Sequence, residues 1–220
     1  MPRLDARPVL FVVSGPSGAG KGTALAWLVD SALVRRVATY TTRLPRPGER
    51  EGVDYRFVDE ATFFELHRKG EIFEYTRTYS ASYYGSPSSL RDDNDPGFLV
   101  AELDPAGFVR ICASSSRRVV GIFVTTDSEG QLRERLSARG QGAEADQRLR
   151  IRTDQLTWAW MYDYVLVNND REQFLKELEV IVTSELLRTR GARHMLDQRQ
   201  ASDPTLQQPP PPAPDTPAKP

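Results

Sequence analysis

A glycine-rich segment near the start of the chain has the residue types and spacing of a phosphate-binding loop. It reads GPSGAGKGT and consists of Gly15, Pro16, Ser17, Gly18, Ala19, Gly20, Lys21, Gly22 and Thr23. The glycines let successive backbone N–H groups turn toward phosphate oxygens, and the lysine adds a charge that can follow the β- and γ-phosphates. An apolar run at residues 8–13 precedes the segment, and apolar residues at helical spacing follow it. Strand, loop and helix in this order favour binding of a nucleoside triphosphate.

One position of this loop departs from the usual G-x-x-x-x-G-K-[ST] pattern. Gly22 stands where a hydroxyl would meet a magnesium ion, and Thr23 follows one residue later. Because Gly22 has no side chain, we expect Mg²⁺ to be held by phosphate oxygens and water, without a side-chain ligand. We expect Thr23 to turn its hydroxyl and N–H toward the α-phosphate.

The composition excludes several kinds of site and partner. The chain has 220 residues, 39% of them hydrophobic, and a net charge of -1 at pH 7, so no excess of positive charge indicates a nucleic-acid polymer as partner. The single cysteine, Cys112, excludes an internal disulfide and any multi-cysteine metal site, and we predict that it is buried on a helix. The apolar run near the N-terminus is too short to span a membrane. We therefore predict a cytoplasmic protein with no membrane partner.

Short apolar runs alternate with helical patterns along most of the chain. This alternation predicts an α/β fold in which helices cover both faces of a parallel sheet. Strands are expected at residues 8–13, 98–101, 119–125 and 164–167, and helices at 23–29, 60–69, from about 105, at 128–138, at 145–160 and up to about 188. Residues 37–97 break the rhythm and are predicted to form an inserted lobe. From residue 195 the chain is polar and proline-rich, which is typical of a disordered tail; a docking segment for a proline-binding module stays open.

A set of motifs beyond the loop is far more specific than the loop alone. The segments are TYTTRLPRPGE at 39–49, GVDYRFV at 52–58, FE at 73–74, YYGS at 83–86, ELD at 102–104 and YDYVLVN at 162–168. Together they resemble guanylate kinases, the nucleoside monophosphate kinases that convert GMP and ATP to GDP and ADP, over about residues 8–187. The resemblance implies a P-loop NTPase three-layer fold with a central parallel sheet (about 8–36 and 98–190), an inserted GMP-binding lobe (about 37–97) and a mobile helical lid (about 135–155). It implies one such domain at residues 1–194, with the tail at 195–220.

The resemblance also implies roles for individual residues. The expected ATP ligands are the nine loop residues and Asn168, which would lie near the adenine. The expected GMP ligands are Thr39, Arg43, Arg46, Tyr55, Glu74, Tyr84, Ser86 and Asp104. The arginine forks and tyrosine hydroxyls would hold the acceptor phosphate, and the Glu74 carboxylate would accept from the N1–H and N2–H donors of guanine. The residues expected to act in catalysis are Lys21, Arg43 and three lid arginines, Arg135, Arg139 and Arg148.

Several positions depart from the family pattern. Thr39 replaces a serine, Glu102 stands where an aspartate is usual, and Ala106 stands where the family has glutamine. The lid is shortened, and GAGKGT resembles the loop of adenylate kinases, which also have glycine after the lysine. A modified guanine nucleotide as acceptor and a non-catalytic interaction module are therefore kept as alternatives. The oligomeric state, including a homodimer, also stays open. The intact lysine and loop glycines disfavour the non-catalytic module.

Overall fold

The strands and helices follow the order predicted for an α/β chain. The computed structural model describes residues 5–31, 33–78, 81–127, 130–131 and 154–202. The strands in chain order are β1 (Val9–Ser14), β2 (Arg35–Arg36), β3 (Thr39–Thr41), β4 (Tyr55–Phe57), β5 (Ile72–Arg77), β6 (Tyr83–Pro87), β7 (Leu99–Glu102), β8 (Arg118–Thr125) and β9 (Tyr164–Val167). The helices with assigned ends are α1 (Lys21–Asp30), α2 (Glu60–Arg68), α3 (Pro105–Ser114) and α4 (Arg171–Ser202).

Five parallel strands form the central sheet in the order β2-β7-β1-β8-β9. Strand β1 is buried along its whole length, as an apolar strand covered on both faces should be. Phe11 and Val13 pack on one face with residues of α1 and α4, whereas Leu10 and Val12 pack on the other with residues of α3. The three-layer α/β fold with a central parallel sheet is thus confirmed.

A second, four-stranded sheet interrupts the chain between β2 and β7. Its order is β4-β3-β6-β5, with β3 parallel to β4 and antiparallel to β6. Its small core contains Tyr40, Phe63 and Ile72, and Phe63 comes from α2. All four strands fall inside the segment that the sequence marks as an insertion.

Helix ends follow local capping chemistry. The Asp59 carboxylate accepts the Thr62 N–H at 2.7 Å at the start of α2, and Gly70 adopts a positive φ of 76° just after its end, as expected for a helix over residues 60–69. Asp104 caps α3 in the same way by accepting the Gly107 N–H at 2.7 Å.

Two predictions need correction. Helix α4 continues to Ser202, past the end near residue 188 and into the predicted tail. Thr189 and Ala192 are buried, and the first proline that could stop the helix is Pro204, so its packing and backbone favour continuation. Cys112 is exposed rather than buried, because α3 turns the neighbouring Ile111 toward the core instead.

No described helix has both the length and the apolar character needed to cross a membrane. The predicted helices at 128–138 and 145–160 fall largely outside the described residues, as do Arg135, Arg139 and Arg148 of the predicted lid. The same holds for the tail beyond residue 202.

Candidate active site

The glycine loop joins the end of β1 to the first residue of α1. Gly15, Gly18 and Gly20 have φ values of 132°, 88° and 113°, which side chains rarely tolerate, so the curl of the loop depends on glycine. The Lys21 ammonium donates to the carbonyls of Gly15 at 2.8 Å and Pro16 at 3.1 Å. The lysine thus lies folded back over the loop, with its ammonium held by the loop's own carbonyls.

Asn168 supports the loop from the end of β9. Its side-chain amide donates to the Ala19 carbonyl at 2.8 Å, and the residue is only 6% exposed. A Cβ on Gly20 would collide with the same amide, so glycine is needed there for the close approach. The amide predicted to lie near the adenine is therefore turned toward the phosphate loop.

Gly22 lies at the open side of the loop. The residue is exposed, and a Cβ built on it would meet no atom within 4 Å. Thr23 is half-buried in the first turn of α1. Nothing in the packing requires glycine at position 22, so its lack of a hydroxyl is a chemical feature of the loop rather than a consequence of crowding.

Three of the four residues predicted to hold the acceptor phosphate lie together on the second sheet. Arg43 Nε donates to the Tyr84 hydroxyl at 2.9 Å, and its guanidinium lies 5.3 Å from the centroid of the Tyr55 ring. The Tyr55 and Tyr84 rings meet edge to face at 5.8 Å between centroids. The fourth residue, Arg46, is exposed on the adjoining turn. The structure thus gathers two hydroxyls and a guanidinium at one place.

Glu49 organises the two arginines, a role that the sequence motif did not assign. Its carboxylate accepts hydrogen bonds from both terminal nitrogens of Arg43 at 2.9 Å and from the backbone N–H of Arg46 at 2.7 Å. Burial opposes ionisation of Glu49, but the hydrogen bonds from Arg43 and Arg46 outweigh it and lower the pKa of the carboxyl. The spacing of Glu49 three residues after Arg46 in the turn is the signal that could have indicated this contact.

Glu102 lies between the loop and the second sheet. One of its carboxylate oxygens is 3.5 Å from Lys21 Nζ, and the other accepts the Tyr55 hydroxyl at 3.4 Å. The negative charge of Glu102 and then burial raise the pKa of Tyr55, which keeps that hydroxyl protonated as a donor. The phosphate loop and the cluster of Arg43, Tyr55 and Tyr84 therefore face each other across a single carboxylate.

The residues predicted to recognise the base surround a buried carboxylate, Glu74 of β5, which is 8% exposed. The hydroxyl of Ser86 on β6 donates to its Oε1. The pairing of Tyr40 with Gly85 brings Thr39, also buried, beside Ser86. Burial raises the pKa of Glu74, and the negative charge of nearby Asp104 adds to this effect. Four predicted base ligands thus come together.

Comparisons with known proteins agree with this arrangement. A family model described as guanylate kinase matches residues 6–185. Guanylate kinase of Wolbachia sp. subsp. Brugia malayi is 36% identical over 189 residues, which is 83% of this chain and 96% of that protein. Guanylate kinase of Ruegeria pomeroyi is 36% identical over 191 residues, covering 84% of this chain and 89% of that one. The chain belongs to the guanylate kinase family.

A solved structure of a guanylate kinase supports the same assignment at the level of the fold. The crystal structure of the enzyme from Anaplasma phagocytophilum superposes with a TM-score of 0.66 at 29% identity, over 83% of this chain and 88% of that chain. Within this guanylate kinase framework, two contacts have no role assigned by the motifs: Glu49 with the arginines, and Arg110 of α3, which donates to Glu74 Oε2 at 3.0 Å. No motif assigned Arg110, and a single arginine at a helix surface carries no signal in sequence alone.

Proposed function

We propose that this chain transfers the γ-phosphoryl group of ATP to GMP, and also to dGMP, forming GDP or dGDP and ADP. The observation that carries the proposal is the position of Glu102, whose carboxylate is 3.5 Å from Lys21 of the phosphate loop and 3.4 Å from the hydroxyl of Tyr55. A donor triphosphate on the loop and an acceptor phosphate on the second sheet would therefore lie side by side. In-line transfer between two anions requires this proximity together with neutralisation of charge.

On the donor side, the loop supplies backbone N–H groups and the positive end of α1. Lys21 would exchange the carbonyls of Gly15 and Pro16 for phosphate oxygens when ATP binds. Arg135, Arg139 and Arg148 are proposed to close over ATP from the lid and to stabilise the charge on the transferred group.

On the acceptor side, Arg43, Arg46, Tyr55 and Tyr84 are proposed to hold the GMP phosphate. The Arg43 fork already binds one carboxylate bidentately, and a phosphate presents oxygens of matching geometry. The acceptor phosphate is itself an anionic nucleophile, so the proposed mechanism assigns no general base.

The base pocket, formed around Glu74, would select guanine by accepting hydrogen bonds from the base. Glu74 would take the N1–H and N2–H donors, with Ser86, Thr39 and Asp104 completing the pocket. Adenine presents an acceptor at N1 instead of a donor and has no amino group at C2, so the carboxylate would meet no donor on the base and the wrong base would be rejected.

Mg²⁺ is proposed to enter with ATP and to neutralise charge between the phosphates. No group of three or more potential ligands occurs among the described residues, and Gly22 offers open space without a hydroxyl. A donor set made of phosphate oxygens and water fits these observations, since Mg²⁺ commonly keeps several waters. The Glu102 carboxylate, next to Lys21, is placed to accept hydrogen bonds from such waters.

The test is an ADP-release assay with GMP, dGMP, AMP, UMP and CMP as acceptors in turn. We expect turnover with GMP and dGMP, and a fall in kcat of about 10²- to 10³-fold on Lys21→Ala, as for loss of one strong transition-state contact. Turnover with AMP but not GMP would contradict the guanine assignment. Absence of turnover with every acceptor would contradict the enzyme assignment and favour an interaction module.

A further inference from the structure

Arg110 reaches from the surface of α3 to the buried carboxylate of Glu74. Its Nη1 donates to Glu74 Oε2 at 3.0 Å and to the Tyr75 carbonyl at 3.1 Å. The side chain of Glu74 is 7% exposed, whereas that of Arg110 is 51% exposed. The ion pair therefore differs from an ordinary surface pair, because one partner is largely withdrawn from water and depends on the other for charge compensation.

The start of α3 leaves space for this contact. Helix side chains lean toward the N-terminus, so Arg110 extends over Ala106, which is one turn earlier on the same face. Ala106 has only a methyl group as its side chain. Gly107 also lets β5 approach closely, since a Cβ there would lie 3.1 Å from Glu74 Oε1. The small residues at 106 and 107 thus leave room for the Arg110 side chain to reach Glu74.

The groups that face Glu74 have opposite effects on the pKa of its carboxyl. Burial raises the pKa of its carboxyl, and the negative charge of Asp104 at the start of α3 acts in the same direction. The Ser86 hydroxyl on β6 and Arg110 on α3 lower the pKa through hydrogen bonds, and Arg110 adds its charge. Without Arg110, only the hydrogen bond from Ser86 would lower the pKa of Glu74, while burial and the charge of Asp104 would still raise it.

We propose that Arg110 is a positioning residue for base recognition, holding the Glu74 carboxylate charged and oriented toward the acceptor base. Each Glu74 oxygen then has one protein donor, Ser86 on Oε1 and Arg110 on Oε2, which fixes the carboxylate plane and leaves further lone pairs for the base. A carboxylate in this state accepts from both guanine donors. A protonated carboxyl would instead donate to the N1 acceptor of adenine, so Arg110 favours guanine over adenine. The identity of the base rests on the proposed function, whereas the effect of Arg110 on Glu74 does not.

The first experiment measures the Glu74 carboxyl directly in the protein without nucleotide. The chain is labelled with ¹³C at glutamate side-chain carboxyls, Glu74 is assigned with Glu74→Gln, and its titration is followed in wild type, Arg110→Ala and Arg110→Lys. We expect the midpoint to rise by about 1 to 2 pH units in Arg110→Ala, as for loss of a close opposite charge. In Arg110→Lys, which keeps the positive charge, the midpoint should lie close to the wild-type value. Lys69→Ala, which removes an exposed ion pair with Glu65, is the matched control and should leave the Glu74 midpoint unchanged.

The second experiment measures steady-state kinetics with GMP and AMP between pH 5 and 8. In Arg110→Ala we expect the KM for GMP to rise about tenfold near the lower end of this range, in proportion to the protonated fraction of Glu74, with kcat at saturating GMP nearly unchanged. The preference for GMP over AMP should fall by a similar factor. Arg110→Gln, which keeps a donor without the charge, separates charge from hydrogen bonding and should behave more like the alanine variant at low pH.

The two experiments distinguish the two proposals. Equal Glu74 midpoints in wild type and Arg110→Ala would overturn the role of Arg110, whatever reaction the protein catalyses. A shifted midpoint in a protein that does not phosphorylate GMP would overturn the proposed function and leave the contact between Arg110 and Glu74 standing. A shifted midpoint with an unchanged pH profile for GMP would overturn the link to base recognition.

Discussion

At the scale of single residues, the site joins side chains that sequence motifs reveal to others that they do not. Lys21, Arg43, Tyr55, Glu74 and Tyr84 were identified because their joint spacing is specific to the family. Glu49, Glu102 and Arg110, which contact them, have no motif-defined role. Glu102 and Arg110 meet partners from distant parts of the chain, whereas Glu49 contacts Arg43 and Arg46 in its own segment. Sequence spacing thus predicts candidate ligand-binding groups, whereas contacts such as those of Glu102 and Arg110 become visible only in the fold.

Replacement of Glu74, the carboxylate proposed to bind the base, should erode specificity more than rate. Glu74→Gln keeps the shape but offers one acceptor and one donor to the two donors of guanine, so we expect the GMP-over-AMP ratio of kcat/KM to fall about 10- to 100-fold. Glu71→Gln, an exposed carboxylate on the same stretch of chain, is the control. An unchanged ratio would show that Glu74 does not recognise the base.

The same carboxyl predicts a pH dependence. Burial raises the pKa of Glu74 above the usual 4.5, and only the ionised form accepts from both guanine donors. The KM for GMP in the wild type should therefore be low above this pKa and rise as the pH falls through it. The Glu74→Gln variant should lose this rise, and persistence of the rise in that variant would assign it to another group.

Gly22 offers a test of how the loop handles magnesium. Because nothing lies within 4 Å of a Cβ at this position, Gly22→Ser should fold normally and place a hydroxyl at the open side of the loop. We expect the Mg²⁺ concentration for half-maximal activity to fall, with kcat within a few-fold of wild type. A wild-type protein that is inert until the serine is introduced would show instead that the loop has lost its function.

At the scale of elements, apolar runs predicted four of the five strands of the central sheet, because an interior strand such as β1 is covered on both faces and has to be apolar throughout. The two-residue β2 consists of arginines and has no such run. Ends were harder to predict: α4 continues beyond residue 188 because Thr189 and Ala192 find buried positions that only the tertiary fold provides. Asp104 shows a second limit, since a side chain predicted as a ligand also caps α3. Capping and ligand binding draw on the same short acidic side chains, so sequence alone does not separate them.

The contact between β9 and the phosphate loop predicts a coupling of stability and ATP binding. Asn168→Ala would leave the Ala19 carbonyl without its 2.8 Å donor, at a cost of about 1–3 kcal/mol for a buried acceptor. We expect a Tm lower by roughly 2–12 °C, given about 2–4 °C per kcal/mol at this chain length, and a higher KM for ATP. Asn169→Ala, at the exposed neighbouring position, is the control. An unchanged KM for ATP would reduce Asn168 to a purely structural role.

At the scale of the whole molecule, two sheets with different topologies meet at one carboxylate. The parallel sheet carries the loop at the end of β1 and Glu102 at the end of β7, which are neighbouring strands. The mixed sheet carries Tyr55, Glu74, Tyr84 and Ser86, and Arg43 lies just after its strand β3. Under the proposed function, this division accounts for the interruption of the α/β alternation, because the insertion carries the residues proposed to contact the acceptor.

The most direct test of the central claim follows the phosphoryl group itself. Purified protein is incubated with ATP, GMP and Mg²⁺, and the phosphorus nuclei are followed by ³¹P NMR. The proposed function predicts that the GMP signal is replaced by the two signals of GDP in step with conversion of ATP to ADP, without inorganic phosphate. Release of inorganic phosphate with GMP unchanged, or no reaction in wild type and Lys21→Ala alike, would contradict it.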